Sequence, residues 1–351
     1  MKTQVIKIDP LNPDPDKIKD AALVLVSGGL VAFPTETVYG LGANMQDEKA
    51  LLRLYEVKKR PKDRPFSIHI AAKEEIESFA ADIAPFVWRI VDRFLPGPLT
   101  LVLKGKDGQK VGLRMPNNRL ALSLILEAKV PVVVPSANIS GNPPPKNAED
   151  VLKELDGKIE LVVDGGPVEL GIASTVADVS SMPIDILRQG AINKEVLEKI
   201  SKSKEVLFVC TGNSCRSVMA KYLLEKELGF LNKNNVSVLS CGVSAIEGMS
   251  ATPFTLNLLR ADGIEIKKHQ AVRLSRQLVR RADIILTMEK LHKEEVLRLY
   301  HEAKERVYGL REFADNLMTD MQDPIGKSEE EYKECFQQIK GLVKKAAQKI
   351  S

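Results

Sequence analysis

A cysteine and an arginine six positions apart, Cys210 and Arg216, mark the clearest chemistry in this sequence. They lie in the stretch Val-Leu-Phe-Val-Cys-Thr-Gly-Asn-Ser-Cys-Arg-Ser that runs from Val206 to Ser217. A thiol becomes a nucleophile as thiolate, and loop N–H groups at a helix N-terminus favour that anion. The field at this loop is therefore expected to lower the Cys210 pKa. A guanidinium adds a planar fork for two phosphoryl oxygens. Gly212 permits a tight turn, Asn213 and Ser217 can donate to the loop or the sulfur, and Thr211, Ser214 and Cys215 complete a six-residue cradle. A buried structural cysteine beside a surface arginine is the plainer alternative, and the strand, glycine and helix patterns around the pair weigh against it.

The first two hundred residues hold a different set. Pro34 to Gly42 (Pro-Thr-Glu-Thr-Val-Tyr-Gly-Leu-Gly) reads as a loop of hydroxyls and glycines, able to hold a polar ligand or simply to turn. Lys58 to Pro65 places five cations in seven positions between prolines that forbid a continuing helix. Such a fixed basic loop suits a triphosphate or a carboxylate, and a solvated charge run is the alternative. Arg114 sits in a short apolar strand, where a guanidinium must find an anion. Ser136 to Gly141 is a second hydroxyl and amide loop after a strand, and Arg188 ends the last strand of this half. His69, inside an apolar run, reads by default as a satisfied core histidine.

The elements that must position these groups follow from periodicity. Helices are expected at Lys17–Ser27, Asp47–Val57, Lys73–Phe79, Ala84–Phe94, Ala148–Leu155, Asn193–Ile200 and from Ser217 onward. Strands are expected at Leu30–Phe33, Phe66–Ala71, Leu99–Leu103, Val111–Met115, Val130–Pro135, Ile159–Val163, Ser174–Val179, Ile184–Leu187 and Val206–Val209. The four-residue run Val206–Val209 is apolar throughout, as in a parallel strand covered on both faces. Ser201–Lys204 reads as a linker, which gives two domains, 1–200 and 205–351.

On these residues, Cys210-x5-Arg216-Ser217 directly after a first strand resembles the low-molecular-weight protein tyrosine phosphatase family, from about Lys204 to the C-terminus. The resemblance implies Cys210 as the nucleophile of a phospho-cysteine intermediate and Arg216 as the phosphoryl clamp. It makes Asp323, of the pair Asp323-Pro324, the general acid, and it implies no cofactor for this half. Three positions depart from the pattern: Val218 replaces a proline, Lys221 an acidic residue, and Ile325 an aromatic that flanks a substrate ring. Ser214 is similar to the arginine-phosphatase branch, so a phosphorylated protein bearing phosphoarginine or phosphotyrosine is the implied substrate. A reversible Cys210–Cys215 disulfide is a further expectation.

The N-terminal motifs resemble the YrdC family of threonylcarbamoyl-AMP synthases across about residues 5–200. They are Pro34 to Gly42, Lys58-x-Arg60-Pro61, Pro96-Gly97-Pro98-Leu99-Thr100, Arg114-x-Pro116, Pro135-Ser136-Ala137-Asn138 and Ser174-Thr175-Val176. The resemblance implies condensation of L-threonine, bicarbonate and ATP, with Mg2+, into threonylcarbamoyl-AMP and pyrophosphate. It also implies partner proteins that pass the group to tRNA, and a tRNA contact. Thr37, His69, Arg114 and Thr175 are implied threonine contacts; Lys58, Arg60, Arg64, Ser136, Asn138 and Arg188 are implied nucleotide and phosphate contacts. Arg64, Lys110 and Pro144 stand where the family more often has an amide, a hydroxyl and a serine. Longer members carry another C-terminal domain in place of the phosphatase-like half. The implied fold class is α/β: a YrdC-like twisted mixed sheet with surrounding helices, then a doubly wound parallel sheet.

Net charge is +4, from 51 Lys+Arg against 47 Asp+Glu, so neither half is a polyanion-binding block. Any nucleotide contact must rest on a local cluster. Four cysteines, two of them in the Cys210–Arg216 loop, do not make a disulfide scaffold and suit a reducing cytoplasm. The stretch Ala121–Pro135 is broken by Glu127 and Lys129, so no membrane association is expected. Two rival readings make the first half a non-catalytic RNA-binding module and the second an arsenate reductase relaying electrons through Cys241 and Cys335.

Overall fold

Short polar side chains start the helices where the pattern predicts. In the computed structural model, which describes residues 2–350, Asp14 accepts from the N–H groups of Asp16 and Lys17 and opens the helix Pro15–Val26, with Pro15 at its first position. Asp47 does the same for the helix Glu48–Lys58, which Lys59 ends in the left-handed region. Contacts divide the chain into two units, Met1–Ile83 with Ile90–Ser201, and Lys202–Ser351 with Ala84–Arg89. Those six residues therefore group with the second unit rather than with the uninterrupted first domain the sequence suggests.

Among the described residues the first unit carries one ten-stranded mixed sheet. Its strands are β1 (Gln4–Lys7), β2 (Val31–Phe33), β3 (Gly40–Asn44), β4 (Ile68–His69), β5 (Leu99–Lys104), β6 (Lys110–Arg114), β7 (Val132–Val133), β8 (Leu161–Asp164), β9 (Thr175–Asp178) and β10 (Asp185–Arg188), in the order β1-β8-β2-β3-β7-β4-β6-β5-β9-β10. Three elements differ from expectation, the first of them β1, a strand at Gln4–Lys7 where none was assigned. Gly40–Asn44 is a fully buried strand antiparallel to β2, so the hydroxyl loop shortens to a turn at Pro34–Tyr39. Arg119–Ala128, to which the periodicity reading assigned no element, is a helix capped by Asn118. That helix and Pro15–Val26 pack through Leu120, Ala121 and Leu124 and through Ile18, Ala21 and Leu25 onto Val31, Phe33, Leu161 and Val163. The register sets His69 opposite Arg114 in the parallel pair β4–β6.

Among the described residues the second unit has a four-stranded, wholly parallel sheet of β11 (Lys204–Cys210), β12 (Val236–Gly242), β13 (Ile284–Thr287) and β14 (Val307–Gly309), in the order β12-β11-β13-β14. Alternate residues of β11 enter different cores. Val206 and Phe208 pack with the helices Arg216–Phe230 and Glu329–Lys349; Leu207 and Val209 pack with Val279 and Val296 on the other face. This explains the unbroken apolar run. The chain leaves β11 for β12 on one side and reaches β13 on the other, so the loop after Cys210 lies at the switch point where α/β sheets bind ligands.

Candidate active sites

In the second unit, Thr211–Cys215 joins β11 to the helix that begins at Arg216. Asn213 takes a positive φ of 52° and is completely buried. Its amide donates to Cys210 Sγ at 3.3 Å, its side chain donates to Ser217 Oγ and Ser240 Oγ, and its carbonyl accepts from His269 Nε2. Ser217 Oγ lies 2.9 Å from Cys210 Sγ. The neighbouring strand must come close: a methyl group on Gly242 would sit 2.5 Å from Thr211 O and 2.7 Å from Asn213 N. Glycine at the end of β12 is thus a condition for the loop's shape.

The Cys210 pKa runs against expectation. Burial pushes the thiol up, against the downward pull of Ser217, Arg216 and the Asn213 amide. The loop supplies hydrogen bonds to an anionic sulfur, but the sulfur is only 3% exposed, and desolvation penalises its charge more. Arg216 is 1% exposed. One of its nitrogens donates to Glu289 and to Met321 O; the other donates to Asp323 and, at 3.2 Å, to Thr211 Oγ1. The clamp and the acid implied by the sequence are therefore brought together. Glu289 was not singled out, although it stands just beyond the end of β13, at the same edge as Cys210. Ser214 lies beside Cys215, whose sulfur is 3.3 Å from Tyr332 Oη and 3.5 Å from Thr252 Oγ1. All four cysteines are free. Cys241 and Cys335 sit in the cores on opposite faces of the sheet, so they form no relay pair.

In the first unit, the turn after β2 is organised by Thr35, whose hydroxyl donates to Val38 O and accepts from the N–H groups of Thr37 and Val38. Arg114 reaches this turn, donating to Thr37 Oγ1 at 2.6 Å and to Glu36 Oε1 at 2.8 Å. The anion it requires is thus Glu36, 4% exposed, whose other oxygen accepts from Asn117 N. His69 is held neutral by burial and by Arg114, its pKa well below the ordinary value, and its buried Nδ1 has no hydrogen-bond partner.

The basic positions separate into two kinds. Lys58 points inward, with Nζ donating to Ser136 O, Asn138 O and Asn138 Oδ1, so its three donors shape the Ser136–Asn138 loop. Burial lowers its pKa to about 8, helped by Arg60. The expected continuous basic loop is therefore broken at its first residue. Arg60 donates to the carbonyls of Arg64 and Pro65 and lies over the Phe66 ring. Arg188 donates to Ser174 O and Oγ. These acceptors are neutral, so both guanidiniums keep their charge. They lie close enough to each other and to Arg114 that mutual repulsion adds to burial in lowering the Arg188 pKa. Thr175 donates to Ile192 O and accepts from the N–H groups of Gly190 and Ile192, which ties its hydroxyl to the turn after Arg188.

Among the described residues no three His, Cys, Asp or Glu side chains gather as a metal site. No helix among the described residues is long and apolar enough to cross a membrane.

Two α/β units, one built on a mixed sheet and the other on a parallel sheet, define the class of this molecule. Residues 23–190 match the Sua5/YciO/YrdC family model, described as telomere recombination, and residues 205–351 match that of low molecular weight phosphotyrosine protein phosphatase. The chain is 45% identical over 193 residues to the threonylcarbamoyl-AMP synthase of Pyrococcus abyssi, covering 52% of this chain and 57% of that protein. It is 34% identical over 145 residues to the protein-arginine-phosphatase of Geobacillus stearothermophilus, covering 41% of this chain and 95% of that protein. The crystal structure of P. abyssi Sua5 complexed with L-threonine superposes with a TM-score of 0.54 at 30% identity, covering 88% of this chain and 99% of that one. The chain belongs to the Sua5/YciO/YrdC family through its first half and to the low-molecular-weight phosphatase family through its second. It spans little more than half the length of the first curated synthases it matches.

Proposed function

We propose that the chain is a bifunctional enzyme. Its first half forms threonylcarbamoyl-AMP from L-threonine, bicarbonate and ATP, and its second half hydrolyses a phosphorylated protein side chain. For the first half the carrying observation is the convergence of Arg60, Arg114 and Arg188, two of them bonded to neutral oxygens, beside the Thr35–Thr37 hydroxyl turn. Threonine and bicarbonate give a carbamate and water. A carbamate oxygen attacks the α-phosphorus, the bond to the β-phosphate oxygen breaks, and pyrophosphate leaves. No protein nucleophile is required; alignment and neutralised charge suffice. Arg114 and Thr37 hold the amino-acid carboxylate, neutral His69 lines its pocket, and Arg60 and Arg188 take the phosphates. Lys58, Asn138 and Thr175 hold the loops that carry them. Mg2+ bound with the triphosphate would supply further charge neutralisation.

For the second half the carrying observation is Cys210 Sγ within hydrogen-bond reach of the Asn213 amide and Ser217, beside an Arg216 shared with Asp323. A phosphoryl dianion takes Arg216 from Asp323. The Cys210 thiol passes its proton by way of the bound phosphoryl group to the Asp323 carboxylate, the thiolate attacks phosphorus, the P–O or P–N bond breaks, and Asp323 hands that proton to the leaving atom. Water then attacks the phospho-cysteine while Asp323 accepts its proton, releasing phosphate. Ser214 and the aliphatic Ile325 favour a flexible phosphoarginine over an aromatic substrate.

Labelled bicarbonate should enter an adenylate only when threonine and ATP are both present, with release of pyrophosphate; its absence from folded protein would defeat the synthase reading. Cys210→Ser should abolish phosphate release from a phosphoarginine protein. Faster turnover of a phosphotyrosine peptide would overturn the substrate preference. The same reading assigns tRNA-modification proteins as acceptors of the product and the cytoplasm as its location.

A further inference from the structure

His292 is 3% exposed, and no chemistry has yet been assigned to it. Its Nδ1 lies 3.1 Å from the backbone nitrogen of Glu289, and its Nε2 lies 3.0 Å from Thr211 Oγ1. A backbone N–H can only donate, so Nδ1 carries a lone pair and the ring proton of the neutral imidazole is on Nε2. Nε2–H therefore donates to Thr211. Arg216, which has no acceptor, donates to the same oxygen. A hydroxyl oxygen accepts two hydrogen bonds and donates one. With both lone pairs engaged, the Thr211 proton must point away from His292 and Arg216. Thr211 is an exposed residue of the loop between the nucleophile and the clamp, so that proton is left for a group that comes from outside the protein.

We propose that the Thr211 hydroxyl is a substrate-binding donor to a phosphoryl oxygen and that buried His292 is the positioning residue that fixes its direction. The inference rests on the phosphatase reading. It adds a side-chain donor to a cradle otherwise made of backbone N–H groups and one guanidinium. Burial lowers the His292 pKa and Arg216 lowers it further, whereas Glu289, Asp323 and Asp320 raise it. The ring is thus kept neutral beside a cation, as the tautomer requires.

The test uses the full chain, with inorganic phosphate as the probe. Histidine nitrogen NMR at neutral pH should show His292 as the neutral Nε2–H tautomer, perturbed when phosphate binds. Thr211→Val should weaken phosphate binding and kcat/KM roughly ten- to a hundredfold, the worth of one hydrogen bond to a charged group. Thr211→Ser, which keeps the hydroxyl, should restore both. His292→Ala should show a similar loss, with the double variant T211V/H292A no worse than T211V alone. An Nδ1–H or cationic His292, wild-type phosphate affinity in T211V, or losses that multiply in the double variant would overturn the proposal. If H292A does not fold, H292Q stands in, with a donor still offered to Thr211 and partial rescue expected; no rescue in folded H292Q counts against the role. Failure of the phosphatase reading shows separately, as wild-type protein without turnover, while the tautomer and the T211V phosphate affinity remain measurable.

Discussion

Replacing Gly242 by alanine tests the architecture of the thiol pocket without touching a reacting group. The added methyl would stand 2.5 Å from Thr211 O, 2.7 Å from Asn213 N and 2.9 Å from Gly212 C. All three are backbone atoms, so no side chain can swing aside. Relief to ordinary contact needs roughly 1 Å of movement between the end of β12 and the loop, a misplacement that can cost about 10²-fold in rate. Overpacking of this kind costs about 1–3 kcal/mol of stability, which a parallel sheet buried on both faces should survive. The expected result is a folded chain whose phosphatase kcat/KM falls about a hundredfold. Its ATP- and threonine-dependent pyrophosphate release should stay at the wild-type rate, as an internal control. Phosphate-release assays on G242A and wild type, with melting curves, decide the matter. Wild-type phosphatase rates in G242A would refute the claim that close approach of β12 shapes the cradle.

Further outcomes follow from the same geometry. Because the folded pKa of His69 lies well below its unfolded value of 6.5, the unfolded chain binds the proton first as pH drops. The associated stability is present above pH 6.5 and lost below it, by up to about 1.4 kcal/mol per pH unit. Melting of the first unit should show this acid limb, and H69Q should flatten it. Arg188→Gln removes a charge held by neutral Ser174 oxygens, so synthase kcat/KM for ATP should fall about 10²–10³-fold, measured as pyrophosphate release. Asp323→Asn should slow hydrolysis about 10²–10⁴-fold for a poor leaving group and far less for p-nitrophenyl phosphate; equal losses with both substrates would remove its role as acid.

The local patterns were legible because they depend on neighbours in sequence. Asp14 and Asp47 cap the helices that follow them, and the apolar run at Val206–Val209, read as a strand covered on both sides, is one. The spacing of Cys210, Gly212 and Arg216 likewise marked a phosphate loop. Gly40–Asn44 was read as loop because its glycines hide a strand that pairs with β2 and β7 and is covered by the helices Pro15–Val26 and Glu48–Lys58. Arg119–Ala128 went unassigned because its apolar residues were weighed only as a membrane candidate.

What the sequence determined alone was which residues could meet an anion: guanidiniums, hydroxyls and a thiol placed at strand ends. Only the tertiary structure decided which of them keep free charge or free donors. Lys58 and Thr175 have their donors engaged on the loops they hold, Arg114 is answered by Glu36, and Arg216 by Glu289 and Asp323. Gly242 and His292 matter through atoms some thirty and eighty residues away. Burial and hydrogen-bond saturation belong to the packed chain, and no spacing of residue types along a sequence encodes them directly.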